Sequence, residues 1–172
     1  MFKTILCAVD GSDHAGKALD LAIELARTCD AKLVLQHNIL MNGNAEDLQR
    51  FAEIEGLAKT VQPEIARLQS VRGRLSYGFE EAPAGTSRLY AEIGQRVLDD
   101  ACRAAEQAGL KKVESLMTDG DAAERILDCA GENKADCIVM GSRGLSDVKA
   151  LYLGSVSHKV LNKATCTCIA VK

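Results

Sequence analysis

The sequence predicts an α/β domain: an open, five-stranded parallel sheet with helices on both faces. Short apolar runs alternate with stretches of helical periodicity, and strand, helix, strand in repetition implies parallel pairing through right-handed crossovers. Residues 5–9 and 137–140 are apolar at nearly every position instead of every second one. That is the pattern of strands covered on both faces, and it places these two runs at the centre of the sheet. Capping residues also stand where the periodicity changes from strand to helix.

In chain order, residues 3–10 read as the first strand. Ser12 then caps a helix whose Ala15, Leu19, Ala22, Ile23 and Ala26 share a face. Residues 32–39 form the second strand. The following connector, 41–87, is long. Residues 44–70 are helical in pattern, with Leu48, Phe51, Leu57, Ala58 and Val61 near one face and Pro63 suited to the first turn of a second short helix. Residues 72–86, with Gly73, Gly78, Pro83 and Gly85, read as loop. The whole stretch is a helical excursion of the kind that often serves as a lid or binding surface. Ser87 caps a helix carrying Ile93, Val97, Ala101, Ala104, Ala105 and Ala108, which Gly109 ends in a left-handed conformation. Residues 112–118 make the third strand. Asp121 and Glu124 have capping-box spacing ahead of Ile126 and Leu127, and residues 136–140 return as the fourth strand. Ser155 and Ser157 open a last helix, from Val156 to about residue 163, and residues 166–171 complete the sheet.

At 172 residues the chain has the length of one domain, and folding buries roughly 70% of the extended chain's surface at that size. Seven cysteines form an odd count, no secretory signal precedes them, and no apolar run approaches membrane-spanning length. The expectation is a soluble cytoplasmic protein with reduced thiols. A net charge of −3 and 3% aromatic residues argue against a nucleic-acid surface, which needs clustered Lys and Arg with stacking rings. Cys166 and Cys168 fall on one face of a strand, as two small core residues would, and Cys7 and Cys137 read the same way. His37 and His158 are isolated, while His14 lies in the first helical turn near Asp10.

The chemistry concentrates late in the chain. The fourth strand runs into Met140-Gly141-Ser142-Arg143-Gly144, and ten residues after Gly144 begins Gly154-Ser155-Val156-Ser157. Glycines admit a ligand close to the backbone, and a helix beginning with unpaired amides and a positive dipole end favours phosphate. Arg143 can fork onto a phosphate. Ligands of open parallel sheets bind beyond the carboxyl ends of the strands, so Asp10 and Gly141, which end two such strands, converge on one crevice if those strands are neighbours.

These residues resemble the ATP-binding branch of the universal stress protein family. In that family Gly, two residues, Gly, nine residues, Gly and a Ser or Thr bind ATP, a pattern matched here by Gly141, Gly144, Gly154 and Ser155. The resemblance extends to the opening strand, which ends in Val9-Asp10 followed by Gly11-Ser12. It implies a Rossmann-like sheet in the order 3-2-1-4-5 and ATP as ligand, with or without Mg²⁺. The implied site is Val9, Asp10, Asn38 (whose backbone meets adenine), Met140, Gly141, Ser142, Arg143, Gly144, Gly154, Ser155, Val156 and Ser157. Two departures stand out: the long connector, and Thr167 where the family often has Pro in the last strand.

The resemblance further implies a stress-response sensor or interaction module. Slow or no hydrolysis is expected, because the chain has no Gly-x4-Gly-Lys-Ser/Thr loop and no obvious base in the cradle. Two other classes compete: an adenylating or ATP-hydrolysing enzyme on a similar sheet, and a phospho-receiver domain using Asp10 and Asp119. In the implied order the last strand is an edge, yet Cys166, Cys168, Ile169, Ala170 and Val171 are nearly all apolar. That predicts a homodimer through this strand, with Thr167 retaining the N–H that a Pro would lack.

Overall fold

A computed structural model describes residues 1–39, 84–144 and 154–172. Most of the expected excursion and the interior of the glycine-rich loop lie outside these residues. The described elements are β1 (Thr4–Ala8), α1 (Asp13–Cys29), β2 (Lys32–Ile39), α2 (Ala84–Gln107), β3 (Val113–Asp119), α3 (Ala122–Glu132), β4 (Cys137–Gly141), α4 (Ser155–Lys163) and β5 (Thr167–Val171). All strand pairs are parallel, in the order β3-β2-β1-β4-β5.

Successive strand residues point to opposite faces, and the core divides accordingly. Ile5, Cys7, Leu33, Leu35 and Val139 pack with α1 and α2, while Leu6, Val34, Ile138 and Met140 pack with α3 and α4. β1 and β4, apolar throughout, are the central pair, and the register Ala8↔Met140 brings their carboxyl ends level. Helix α1 buries Ile23 and four alanines, Ala15, Ala18, Ala22 and Ala26, whose small side chains let its axis lie close to the sheet; Leu19 is only half-buried. Ser12 caps it, accepting from the Ala15 amide at 3.2 Å. Asp121 caps α3 in the same way, accepting from the Glu124 amide at 3.0 Å, and its other oxygen takes the Lys159 ammonium at 2.8 Å, tying α3 to α4.

Several expectations are corrected. Helix α2 begins at Ala84, so Ser87 is an interior residue and not its cap. Gly85 and Thr86 read as loop from propensity alone, but that penalty is at most about 1 kcal/mol per residue against continued helical bonding. Helix α4 is capped by Gly154, which supplies no side chain, in place of the expected serines. Gly109 does follow α2 with φ 86°.

The Thr167 amide donates to the Asp136 carbonyl at 3.2 Å, inside the sheet. Backbone groups alternate in direction along a strand, so Thr167, Ile169 and Val171 face β4, and the outward N–H groups belong to Cys168 and Ala170. Ile169 and Val171 are half-buried against the α1 side, and Cys168 against the α3 side.

All seven cysteines are free thiols. Burial pushes Cys7 up to about 12 and Cys137 up to about 11, so these two thiols stay protonated and act as small core residues. No helix among the described residues is long and apolar enough to cross a membrane.

Candidate functional site

A cavity of about 170 Å³ opens where the carboxyl ends of β1, β2 and β4 meet the amino end of α4. A single water requires only about 10–15 Å³, so the space suits an organic ligand. Ala8, Val9 and Asp10 come from the β1 end, Gln36, His37 and Asn38 from β2, and Met140, Gly141, Arg143 and Gly144 from β4 and its loop. Gly154, Ser155, Val156 and Ser157 close the far wall, with Ala15 of α1 and Ala122 and Ile126 of α3. Both sequence motifs thus meet in one crevice.

The turn after β4 is dense at two glycines. A Cβ on Gly141 would stand 2.9 Å from the Arg143 carbonyl oxygen, 2.9 Å from His14 Cβ and 3.0 Å from the Ala15 amide nitrogen. Only hydrogen fits between this backbone and the start of α1. At Gly144 the conflict is with the site itself, where a Cβ would lie 2.6 Å from Asp10 Oδ2. Asp10 is oriented by the Ser12 amide, which donates to its Oδ1 at 3.0 Å. Arg143 lies 3.2 Å from His14 Nε2; a guanidinium only donates, so that nitrogen accepts. The side chain is therefore held at the mouth by the first turn of α1.

Ser142, expected in the cradle, does not line the cavity. Its amide donates to the Val171 carbonyl at 2.6 Å, and its own carbonyl accepts from the Gly154 amide at 2.7 Å and the Ser157 hydroxyl at 2.8 Å. Its Oγ is sealed in without a partner among the described residues. Ser142 is the joint that fastens β4 to the start of α4. Ser157 lines the cavity and shares that joint: its buried hydroxyl proton goes to the Ser142 carbonyl or to the Gly154 carbonyl at 3.0 Å. The first helical bond of α4 runs from His158 to Gly154 at 2.9 Å, which leaves the Val156 and Ser157 amides without acceptors inside the helix.

Asn38 stands near the end of β2, its side chain bonded to the Gly120 carbonyl at 3.0 Å, beyond the end of β3. Sequence reasoning missed Gln36 and His37, together with the apolar wall of Ala8, Ala15, Ala122 and Ile126. Gln36 carried a signal, being an amide inside an otherwise apolar strand; the wall follows from how α3 docks and has no local signature. His37 Nδ1 donates to the Val9 carbonyl at 2.8 Å. Burial lowers its pKa, against smaller opposing effects of that bond and of Asp10.

Asp119 ends β3, and β2 lies between β3 and β1, so it stands about two strand spacings, roughly 10 Å, from the end of β1. The acid cluster of a receiver does not form. Among the described residues no group of three or more His, Cys, Asp or Glu side chains is placed to hold a metal ion.

Comparison with known proteins places this geometry in context. The family model described as the universal stress protein family matches residues 1–172. A universal stress protein of Thermus aquaticus is 33% identical over 172 residues, covering all of both chains. Universal stress protein YxiE of Bacillus subtilis is 31% identical, again over the full length of both. Among solved structures, the universal stress protein UspA of Lactobacillus plantarum superposes with TM-score 0.70 at 18% identity, covering 99% of this chain and 97% of that one. A universal stress protein in complex with cAMP gives 0.60 at 22% identity and covers 99% and 97%. The universal stress protein of Archaeoglobus fulgidus in complex with dAMP gives 0.59 at 20% identity and covers 100% and 98%.

Proposed function

The chain belongs to the universal stress protein family, and from that premise we propose that it binds ATP in the cavity at the carboxyl end of its sheet, as a nucleotide-dependent stress-response sensor or interaction module. One observation carries the reading: the ends of β1 and β4 and the amino end of α4 close on the same space, with two intrahelically unpaired amides at the wall where a phosphate belongs. The cAMP and dAMP complexes of related folds support an adenine nucleotide as the class of ligand. In this reading the base lies toward Asn38 and the apolar wall, and the phosphates lie toward Gly144 and α4.

Asp10 is the carboxylate on the cavity wall among the described residues. Mg²⁺ commonly binds to one or two carboxylates plus substrate phosphates, so this donor set fits a metal that arrives with the nucleotide. When bound, Mg²⁺ would neutralise phosphate charge near Asp10. Turnover is expected below roughly 1 per second, the low end of ordinary enzyme rates. The protein is further proposed to reside in the cytoplasm and to dimerise through the last strand, over residues 166–171.

Mass spectrometry of small molecules released from the denatured, purified protein, with calorimetric titration of ATP, tests the reading. ATP is expected to bind wild type and not Gly154→Val, which sets a branched side chain at the α4 cap. Equal affinity in both proteins would remove α4 from the site, and no affinity in wild type would remove the function.

A further inference from the structure

The register of the sheet aligns Gln36 with Ala8 and Ala8 with Met140, so one row of side chains crosses the cavity floor on the α3 face. Gln36 is its polar member and is 1% exposed. The direction of its amide follows from a chain of hydrogen bonds to β3. The Gly120 carbonyl can only accept, so the Asn38 atom 3.0 Å from it is Nδ2, and Oδ1 is turned to Thr118. The Thr118 hydroxyl has two oxygen neighbours, Asn38 Oδ1 at 3.0 Å and the His37 carbonyl at 3.4 Å, and its proton goes to one of them. Toward Gln36 it therefore presents a lone pair. The Gln36 atom at 2.6 Å must be the donor Nε2, which leaves Oε1 without a partner among the described residues. Gln36 lines the cavity, and with Nε2 turned to Thr118 its Oε1 is the amide atom left to face that space.

We propose that Gln36 Oε1, held as an acceptor by the Thr118–Asn38–Gly120 relay, reads an amino group on the base of the bound nucleotide and makes Gln36 a specificity-determining residue. The inference rests on the nucleotide reading above and deepens it. An acceptor with fixed direction in an apolar surround selects a donor: the amino group at position 6 of adenine supplies one, whereas the carbonyl oxygen at position 6 of guanine or hypoxanthine would set oxygen against oxygen.

The test compares ATP, purine riboside triphosphate (which lacks the amino group), inosine triphosphate and 2′-deoxy-ATP on the full chain by calorimetry. Wild type should favour ATP over purine riboside triphosphate by about tenfold or more, the effect of one buried hydrogen bond. In Gln36→Leu that ratio should fall to near one. Thr118→Val removes the hydroxyl that orients the amide, so Gln36 can turn its Nε2 to the cavity; the preference should shift toward inosine triphosphate. This second variant carries the test if Gln36→Leu does not fold. An ATP preference that survives both substitutions overturns the proposal, as does a Gln36→Leu effect confined to the ATP to 2′-deoxy-ATP ratio, which would place the acceptor against the sugar. Failure of wild type to bind any of the four overturns the nucleotide reading itself, whereas binding without an amino-group preference overturns this inference alone.

Discussion

The same substitution, Gly→Ala, at two positions three residues apart should produce opposite phenotypes. Neither Gly141 nor Gly144 has a positive φ, so any effect arises from what the new methyl group meets. At Gly141 it meets the Arg143 carbonyl oxygen at 2.9 Å and the Ala15 amide nitrogen at 3.0 Å. Backbone atoms inside a packed turn cannot swing aside, and overpacking of this kind costs about 1–3 kcal/mol. For a chain of this length each kcal/mol lowers the melting temperature by roughly 2–4 °C. Gly141→Ala should therefore melt several degrees early.

At Gly144 the close neighbour is Asp10 Oδ2 at 2.6 Å, with the Asp10 carboxyl carbon next at 3.9 Å. A carboxylate can rotate. Losing its bond to the Ser12 amide costs on the order of 1 kcal/mol, and restricting the unfolded chain returns about 0.4–1 kcal/mol, so stability should hardly change. In the proposed complex the displaced carboxylate would no longer point at the nucleotide. A charged hydrogen bond is worth about 1.5–3 kcal/mol, so ATP affinity should fall roughly 10- to 100-fold. Scanning calorimetry and ATP titration of both variants read the two effects separately. A Gly144→Ala protein that binds ATP within twofold of wild type would show that Asp10 is not a ligand group. A Gly141→Ala protein with unchanged melting would contradict the packing of this turn against α1.

Two further outcomes follow from burial and from strand direction. His37 has its folded pKa lowered by burial, so the unfolded chain takes the proton first; its contribution to stability is full above about 6.5 and is lost as pH falls from there toward the depressed folded value. Denaturant unfolding at acid and neutral pH should show a smaller acid loss in His37→Gln than in wild type, and parallel losses would exclude His37 as the source. Ala170→Pro, which removes an outward N–H of β5, should convert a dimer to a folded monomer in sedimentation, while a dimer indifferent to the change must be held elsewhere.

What could be read from the sequence was whatever short-range chemistry decides. Continuous apolarity identified β1 and β4 as central, Ser12 and Asp121 were recognisable as caps from their own spacing, and the glycine spacing located the turn after β4. Long-range partners were not legible. The Ser157 hydroxyl looks like a phosphate donor until the Ser142 carbonyl, fifteen positions earlier, is found to occupy it. Ser87 looks like a cap because Gly85 and Thr86 are poor helix formers, a preference that α2 overrides. Gln36 is the instructive miss: an amide within a buried strand must find a partner, so the run Leu33-Val34-Leu35-Gln36 announced a polar relay that propensity does not register.

The Ser142 joint has a thermodynamic consequence. Its amide holds the Val171 carbonyl on β5 while its carbonyl holds the start of α4, so a single residue is shared by the edge strand and the helix end at the cavity. If occupancy of the cavity changes the free energy of pairing at β5 by some factor, self-association must change the affinity for the ligand by the same factor, whichever event comes first. Ligand titrations at low and high protein concentration would then differ in midpoint, and the size of that difference measures how stiffly one serine connects the two surfaces.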